Sequence, residues 1–242
     1  LSLTACSHQP ARQEPVPPPT IPYTRVWSAD PGIDLFSRGA ELIRATFESG
    51  QLYAQVGHPS FPGYENALNV PKADAQLGDW WNSGTIPPKA VTDYAHIVDF
   101  TADDHAVEAV VCDYAISPDT AVEYPDQLNS ATRIRLENTG TDPGRASIAN
   151  TNPEHYDPRA QMPPTWNVFG PWKITRTGTL SLAWQPIPEG CLAWWKQAFP
   201  GFAPVGDGDG SRTGLYPPAK YIPPHHPVLP QFPEWIGPST AS

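Results

Sequence analysis

The sequence predicts an α+β fold in one domain, with helices first and a curved antiparallel sheet after them. Three observations predict it. A helical apolar period fills the stretch after residue 30, and β-branched and aromatic runs follow from residue 92. The 242 residues are 39% hydrophobic, enough for one sizeable core but hardly for two. Helical sequence followed by strand sequence is the order of an α+β arrangement rather than of alternating βα units. Proline, at 32 of 242 residues, stands well above its usual share of about 5%, so extended segments must accompany the core.

The chain opens LSLTACSHQPARQEPVPPP. Leu3-Thr4-Ala5-Cys6 resembles the end of a bacterial lipoprotein signal peptide: a branched apolar residue, a small polar one, a small one, then Cys. That order lets a diacylglyceryl group be attached to the thiol and small side chains fit beside the scissile bond. Residues 1–5 are then the end of the signal peptide, and Cys6 is the lipidated mature N-terminus. Residues 6–30 are polar and proline-rich, the composition of a tether.

From residue 31 a folded domain is expected. Phe36, Ala40, Ile43 and Phe47, with Leu35 and Leu42 beside them, draw one stripe along a helix that either Asp30-Pro31 or Asp34 can start and Ser49-Gly50 can stop. A second short helix holds Leu52, Tyr53 and Val56, and FPGYENALN gives a further helical turn entered through Pro-Gly. LGDWWNSGTIPP reads as a loop. TDYAHIVDF and AVEAVVCDYAI then form a hairpin across TADDH, with Asp103-Asp104 in a tight turn. ATRIRLEN is the next strand, a long loop follows Asn138, and WNVFGPWKITRTGTLSLAW supplies one or two more strands. CLAWWKQAFPG is short, apolar and helical. Residues 201–242 read as flexible glycine loop and proline-rich tail.

Charge and cysteine content bound the function. A net charge of −10, with no basic cluster, argues against a nucleic-acid partner. No apolar run approaches the roughly 20 residues needed to span a bilayer, so membrane attachment falls to Cys6. With Cys6 lipidated, Cys112 and Cys191 remain, and two thiols in an exported domain are expected to form a disulfide. Neither has a Cys or His at zinc-ligand spacing, GDGDG lacks the distal ligands of a calcium loop, and the adjacent histidines of PPHHP point apart in an extended tail. No metal and no cofactor are expected. GxSxG, P-loop and dinucleotide motifs are absent from the sequence.

A two-residue turn at Asp103-Asp104 sets a register in which His96 faces Val111 and Tyr94 faces Asp113. Tyr94, His96 and Asp113 then share one end of an apolar face. There His96 can act as base, Asp113 can orient it, and Tyr94 can donate to a developing oxyanion. The same trio also suits an ordinary hydrogen-bonded cluster, and a three-residue turn with a bulge separates its members. Nine Trp residues add a second candidate. Trp80, Trp81, Trp194 and Trp195 sit in loops or at element ends, where an apolar ring with one N–H donor suits a ligand or partner surface, and equally suits packing against proline.

The lipobox, the opening amphipathic helix, FPGYENAL, the strand AVEAVVCDY with Cys112 and the late second Cys together resemble the NTF2-like (SnoaL-like) secreted lipoproteins of actinobacteria, mycobacteria especially. The resemblance covers roughly residues 31–200 and implies a cone of helices packed on a curved antiparallel sheet. The proline-rich tail and the loop after Asn138 depart from it. An immunoglobulin-like sandwich is the competing architecture, and the strong first helix counts against that. The resulting expectation is a non-catalytic cell-envelope protein, anchored by lipid outside the cytoplasm, that holds an apolar small molecule or an envelope protein partner. The alternative is an NTF2-like enzyme performing acid/base isomerisation, dehydration or hydrolysis of a small apolar substrate.

Overall fold

A computed structural model describes residues 23–56, 61–70, 90–122, 125, 128–150, 157–181, 186–204 and 214–238. Cys6, Trp80 and Trp81 lie outside the described residues, as do residues 205–213. The described chain is α+β, as expected. It runs β1 (Tyr23–Ala29), α1 (Arg38–Val56), α2 (Tyr64–Ala67), β2 (Val91–Ala102), β3 (Ala106–Ile116), β4 (Ser130–Asn138), β5 (Trp172–Ser181), α3 (Glu189–Ala198), β6 (Ala203–Pro204) and β7 (Leu215–Tyr216). Strands β1 to β5 form one mixed sheet in sequence order, and β6 and β7 form a separate ladder.

The sheet begins earlier than expected. Residues 23–29, assigned to the tether, form β1 and pair in parallel with β2. The prolines before Tyr23 masked a short alternating strand, YTRVWSA, whose Arg25 and Trp27 are buried. A parallel neighbour needs a crossover, and α1 and α2 supply it. The remaining neighbours are antiparallel.

Helix α1 starts later and ends later than its sequence signals. Ser37 caps it, its Oγ accepting the Ala40 N–H at 3.3 Å, while the Asp34 carboxylate takes the Phe36 N–H in the preceding turn. Ser49 is buried and Gly50 lies within the helix, which runs on to Val56 as one rod rather than two. Glycine costs a helix only about 1 kcal/mol, and packing around α1 outweighs that. One side lies on the sheet through Ala40, Ile43 and Phe47. The polar side is covered as well: Glu48 accepts the indole N–H of Trp27 and of Trp235, both at 2.9 Å, and Glu41 binds Ser147 and Arg38. Arg44 lies over the Trp235 ring at 4.6 Å. At α2 the Pro-Gly entry holds as read, with Gly63 at φ 86° and the Asn167 side chain packed where a Cβ would stand.

Residues 214–238 of the expected proline-rich tail form a structural layer against the sheet. Phe232 donates its N–H to Arg25 O at 2.9 Å and accepts the Trp27 N–H at 2.7 Å, so it extends the sheet beyond β1. Trp235 is fully buried, meeting Phe61 edge-on at 5.4 Å. An edge strand with a free row of N–H and C=O groups is a pairing hazard, and this strap covers it.

On the opposite face of the sheet a smaller core gathers Val98, Val110, Leu180, Trp195 and Phe199 under α3. The Cys112–Cys191 disulfide joins β3 to α3 there, with Cα atoms 5.5 Å apart. Close approach is possible because residue 190 is Gly: a Cβ would stand 2.9 Å from the Val98 side chain. Among the described residues no helix is long and apolar enough to cross a membrane.

Candidate ligand cleft

The hairpin register decides which polar residues meet. The turn has three residues, Asp103 to His105, with the Asp103 carboxylate accepting the N–H groups of His105 and Ala106 at 2.7 and 2.8 Å. A bulge lies between Val98 and Thr101, where Asp99 takes φ 50°. The extra residue shifts the pairing, so Tyr94 opposes Tyr114, His96 opposes Cys112, and Asp113 opposes Ala95. Because side chains alternate along a strand, Asp113 points to the α1 side while Tyr94 and His96 point to the α3 side. The expected Tyr94–His96–Asp113 trio is therefore not formed.

Asp113 joins a different group. On the α1 side Arg25 donates its Nε–H to Asp93 at 3.1 Å and its guanidinium also binds Gln51. Burial, with the neighbouring Asp93 charge added, pushes the Asp113 carboxyl up to about 8 against the pull of Arg25.

His96 has another carboxylate. Its Nε2 lies 3.1 Å from Asp30 Oδ1 and its Nδ1 lies 2.7 Å from Ser28 Oγ. Ser28 is its direct neighbour across the parallel β1–β2 pair, and Asp30 follows the end of β1. Trp194 of α3 stacks on the imidazole with centroids 4.9 Å apart and planes 8° from parallel. Burial lowers the His96 pKa against the opposing influence of Asp30, so the ring is neutral at pH 7. Beyond Trp194, Tyr114 and Tyr94 continue the stack at 4.9 Å steps, and the Tyr94 hydroxyl meets His226 Nε2 of the tail at 3.0 Å. Burial raises the pKa of both tyrosines, so they remain hydroxyl donors.

Ser28, Asp30, His96, Gly190, Trp194 and Gln197 line a surface cleft of about 620 Å3 between the β1–β2 edge and α3. Ligand pockets typically span about 300 to 1,000 Å3. Of the expected contact residues, Trp194 lines this cleft, whereas Trp195 is fully buried in the core beneath α3 and cannot meet a ligand. Ser28 and Asp30 lie in a segment whose proline-rich composition predicts a tether rather than a strand. The alternation of YTRVWSA was the available signal, but its partner strand was not. Compared with known proteins, the chain matches no family model, no curated protein and no solved structure.

Proposed function

We propose that this chain is a cell-envelope protein, anchored by lipid on Cys6, that holds a small, largely apolar molecule in the cleft between β1, β2 and α3. The carrying observation is the half-buried Trp194 ring, stacked on His96 in a cleft of ligand size. Aromatic faces supply most of the contact energy in such pockets, and a few polar groups set orientation. A small molecule fits better than a protein partner. Among the described residues the exposed large apolar side chains are Ile222 and Leu229, too few for a docking face. The lipobox and the Cys112–Cys191 bond support an address outside the cytoplasm. Helix α1 packed on the long antiparallel strands β2 to β5 supports the NTF2-like reading of residues 31–200.

Titration with a neutral two-ring aromatic such as 2-naphthol tests the cleft. Saturable quenching of Trp fluorescence is expected, with affinity falling about tenfold or more in Trp194→Ala. Equal quenching in both proteins would remove the cleft from the reading. Metabolic labelling with palmitate tests the anchor: incorporation should vanish in Cys6→Ser, and an unlabelled native chain would overturn the lipid assignment. His96 also keeps the acid/base alternative in view, with Asp30 rather than Asp113 beside it.

A further inference from the structure

We propose that the cleft is a serine esterase site in which Ser28 is the nucleophile, His96 its base and Asp30 the residue that orients the ring. The proposal rests on the cleft being a ligand site, and adds a reaction to it. Three contacts carry it. The Ser28 hydroxyl lies 2.7 Å from His96 Nδ1, and His96 Nε2 lies 3.1 Å from Asp30 Oδ1. With the Nε2 proton donated to the carboxylate, Nδ1 is left as an acceptor, and the hydroxyl can donate to it. The other acceptor within reach of Ser28, the Ala95 carbonyl, is at 3.5 Å, a much longer contact. Trp194 holds the imidazole plane, and all three groups border the same cleft. A histidine serving only the core would spend its nitrogens on buried partners; here one partner is a carboxylate 42% exposed at the cleft rim.

The chemistry balances without a co-reactant other than water. Ser28 Oγ adds to the ester carbonyl carbon as its proton passes to His96 Nδ1. The adduct collapses, the bond to the alcohol oxygen breaks, and His96 returns the proton to that oxygen. Water then adds to the acyl group, giving a proton to His96, and the bond to Ser28 breaks as its oxygen takes the proton back. The products are one acid and one alcohol. The donors proposed for the developing oxyanion are the Gly190 backbone N–H in the first turn of α3 and the Gln197 side chain, both residues of the cleft lining. The Trp194 face suits an ester with an aromatic or short aliphatic group. Asp30 and the net charge of −10 select against anionic esters.

Asp30 is a positioning residue, and the pH dependence separates that role from a structural one. Among the described residues it is the charged group facing His96. The neighbouring strands offer Ser28 and the disulfide-bonded Cys112, and α3 offers Trp194 and Gly190. Removing the carboxylate therefore lowers the imidazole pKa further.

The test treats the full oxidised chain with diisopropyl fluorophosphate and follows the adduct by intact and peptide mass spectrometry, with p-nitrophenyl butyrate hydrolysis in parallel. In the labelling step Ser28 Oγ bonds to phosphorus as fluoride leaves and His96 takes the proton. One adduct is expected, on Ser28, and none in Ser28→Ala. His96→Gln should slow labelling roughly 100-fold or more. The rate should rise with pH through a midpoint below the ordinary imidazole value of about 6.5, and Asp30→Asn should move that midpoint lower still. Should His96→Gln not fold, Asp30→Asn at the exposed rim carries the same test. No adduct, an adduct on another serine, or wild-type rates and midpoints in both variants would overturn the proposal. A chain that binds 2-naphthol saturably yet takes no adduct loses the esterase and keeps the ligand site; one that does neither loses both.

Discussion

On the α1 side of the sheet, three carboxylates that enter the core reach groups distant in sequence: Glu48 reaches Trp27 and Trp235, Glu41 reaches Ser147, and Asp93 reaches Arg25. On the α3 side the core is smaller, a covalent bond fixes the helix, rings stack on rings, and the polar groups stop at a cleft facing solvent. The difference teaches how one sheet can serve two purposes. The α1 face is closed by chain brought back from the C-terminal end, so its stability depends on many long-range partners. The α3 face is pinned at one point and left open beside it, which is what a binding surface needs.

The largest effect should come from that pin. Replacing Cys112 and Cys191 by Ala frees a loop spanning 79 residues, a change the chain-entropy picture values at about 4 to 5 kcal/mol. A denaturant midpoint should fall accordingly. Hydrogen exchange should show α3 losing protection well before α1, and equal loss on both faces would erase the comparison. Next in size is Trp235→Ala, expected to cost about 3 kcal/mol by cavity formation and the loss of a Glu48 partner. It should loosen α1 and leave 2-naphthol binding at the cleft unchanged.

A pH-dependent effect comes from Asp113. A carboxyl raised in the folded state binds its proton more tightly there than in the unfolded chain. Its contribution is full below the unfolded value, near pH 4, and is lost as pH rises through about 8. Asp113→Asn should flatten that decline and raise the denaturant midpoint at pH 8 relative to the native chain. A midpoint that falls with pH as steeply in the variant would show that the titrating group lies elsewhere. Smallest is Arg135→Ala on the exposed end of β4. Arg135 shares Glu108 with Arg133 and lies near solvent, so the midpoint should not move measurably.

The residues that sequence reading placed correctly are those whose signal is local. The stripe through Ala40, Ile43 and Phe47, the β-branched runs of β2 and β3, and the Pro-Gly entry of α2 each declare themselves within a few positions. The disulfide was legible because only two cysteines remained after Cys6. What failed depended on partners. Gly50 reads as a stop until something packs around it, and the proline-rich tail reads as a bare extension until Phe232 finds Arg25 and Trp27. The site is half legible: His96 and Trp194 stand out in the sequence, but one extra residue in the turn and the Asp99 bulge put Asp113 on the other face. Ser28 and Asp30 stood in a stretch whose strand character appears only once β2 lies beside it.

The contact between Trp235 and Glu48 spans 187 positions. Whatever machinery delivers this polypeptide from its front end, α1 waits with its acidic side unsealed until residue 235 has emerged. Late closure of that kind slows folding, since so distant a pairing bears a large loop entropy. A truncation just short of Phe232 should therefore yield a product that degrades rather than one that merely works less well.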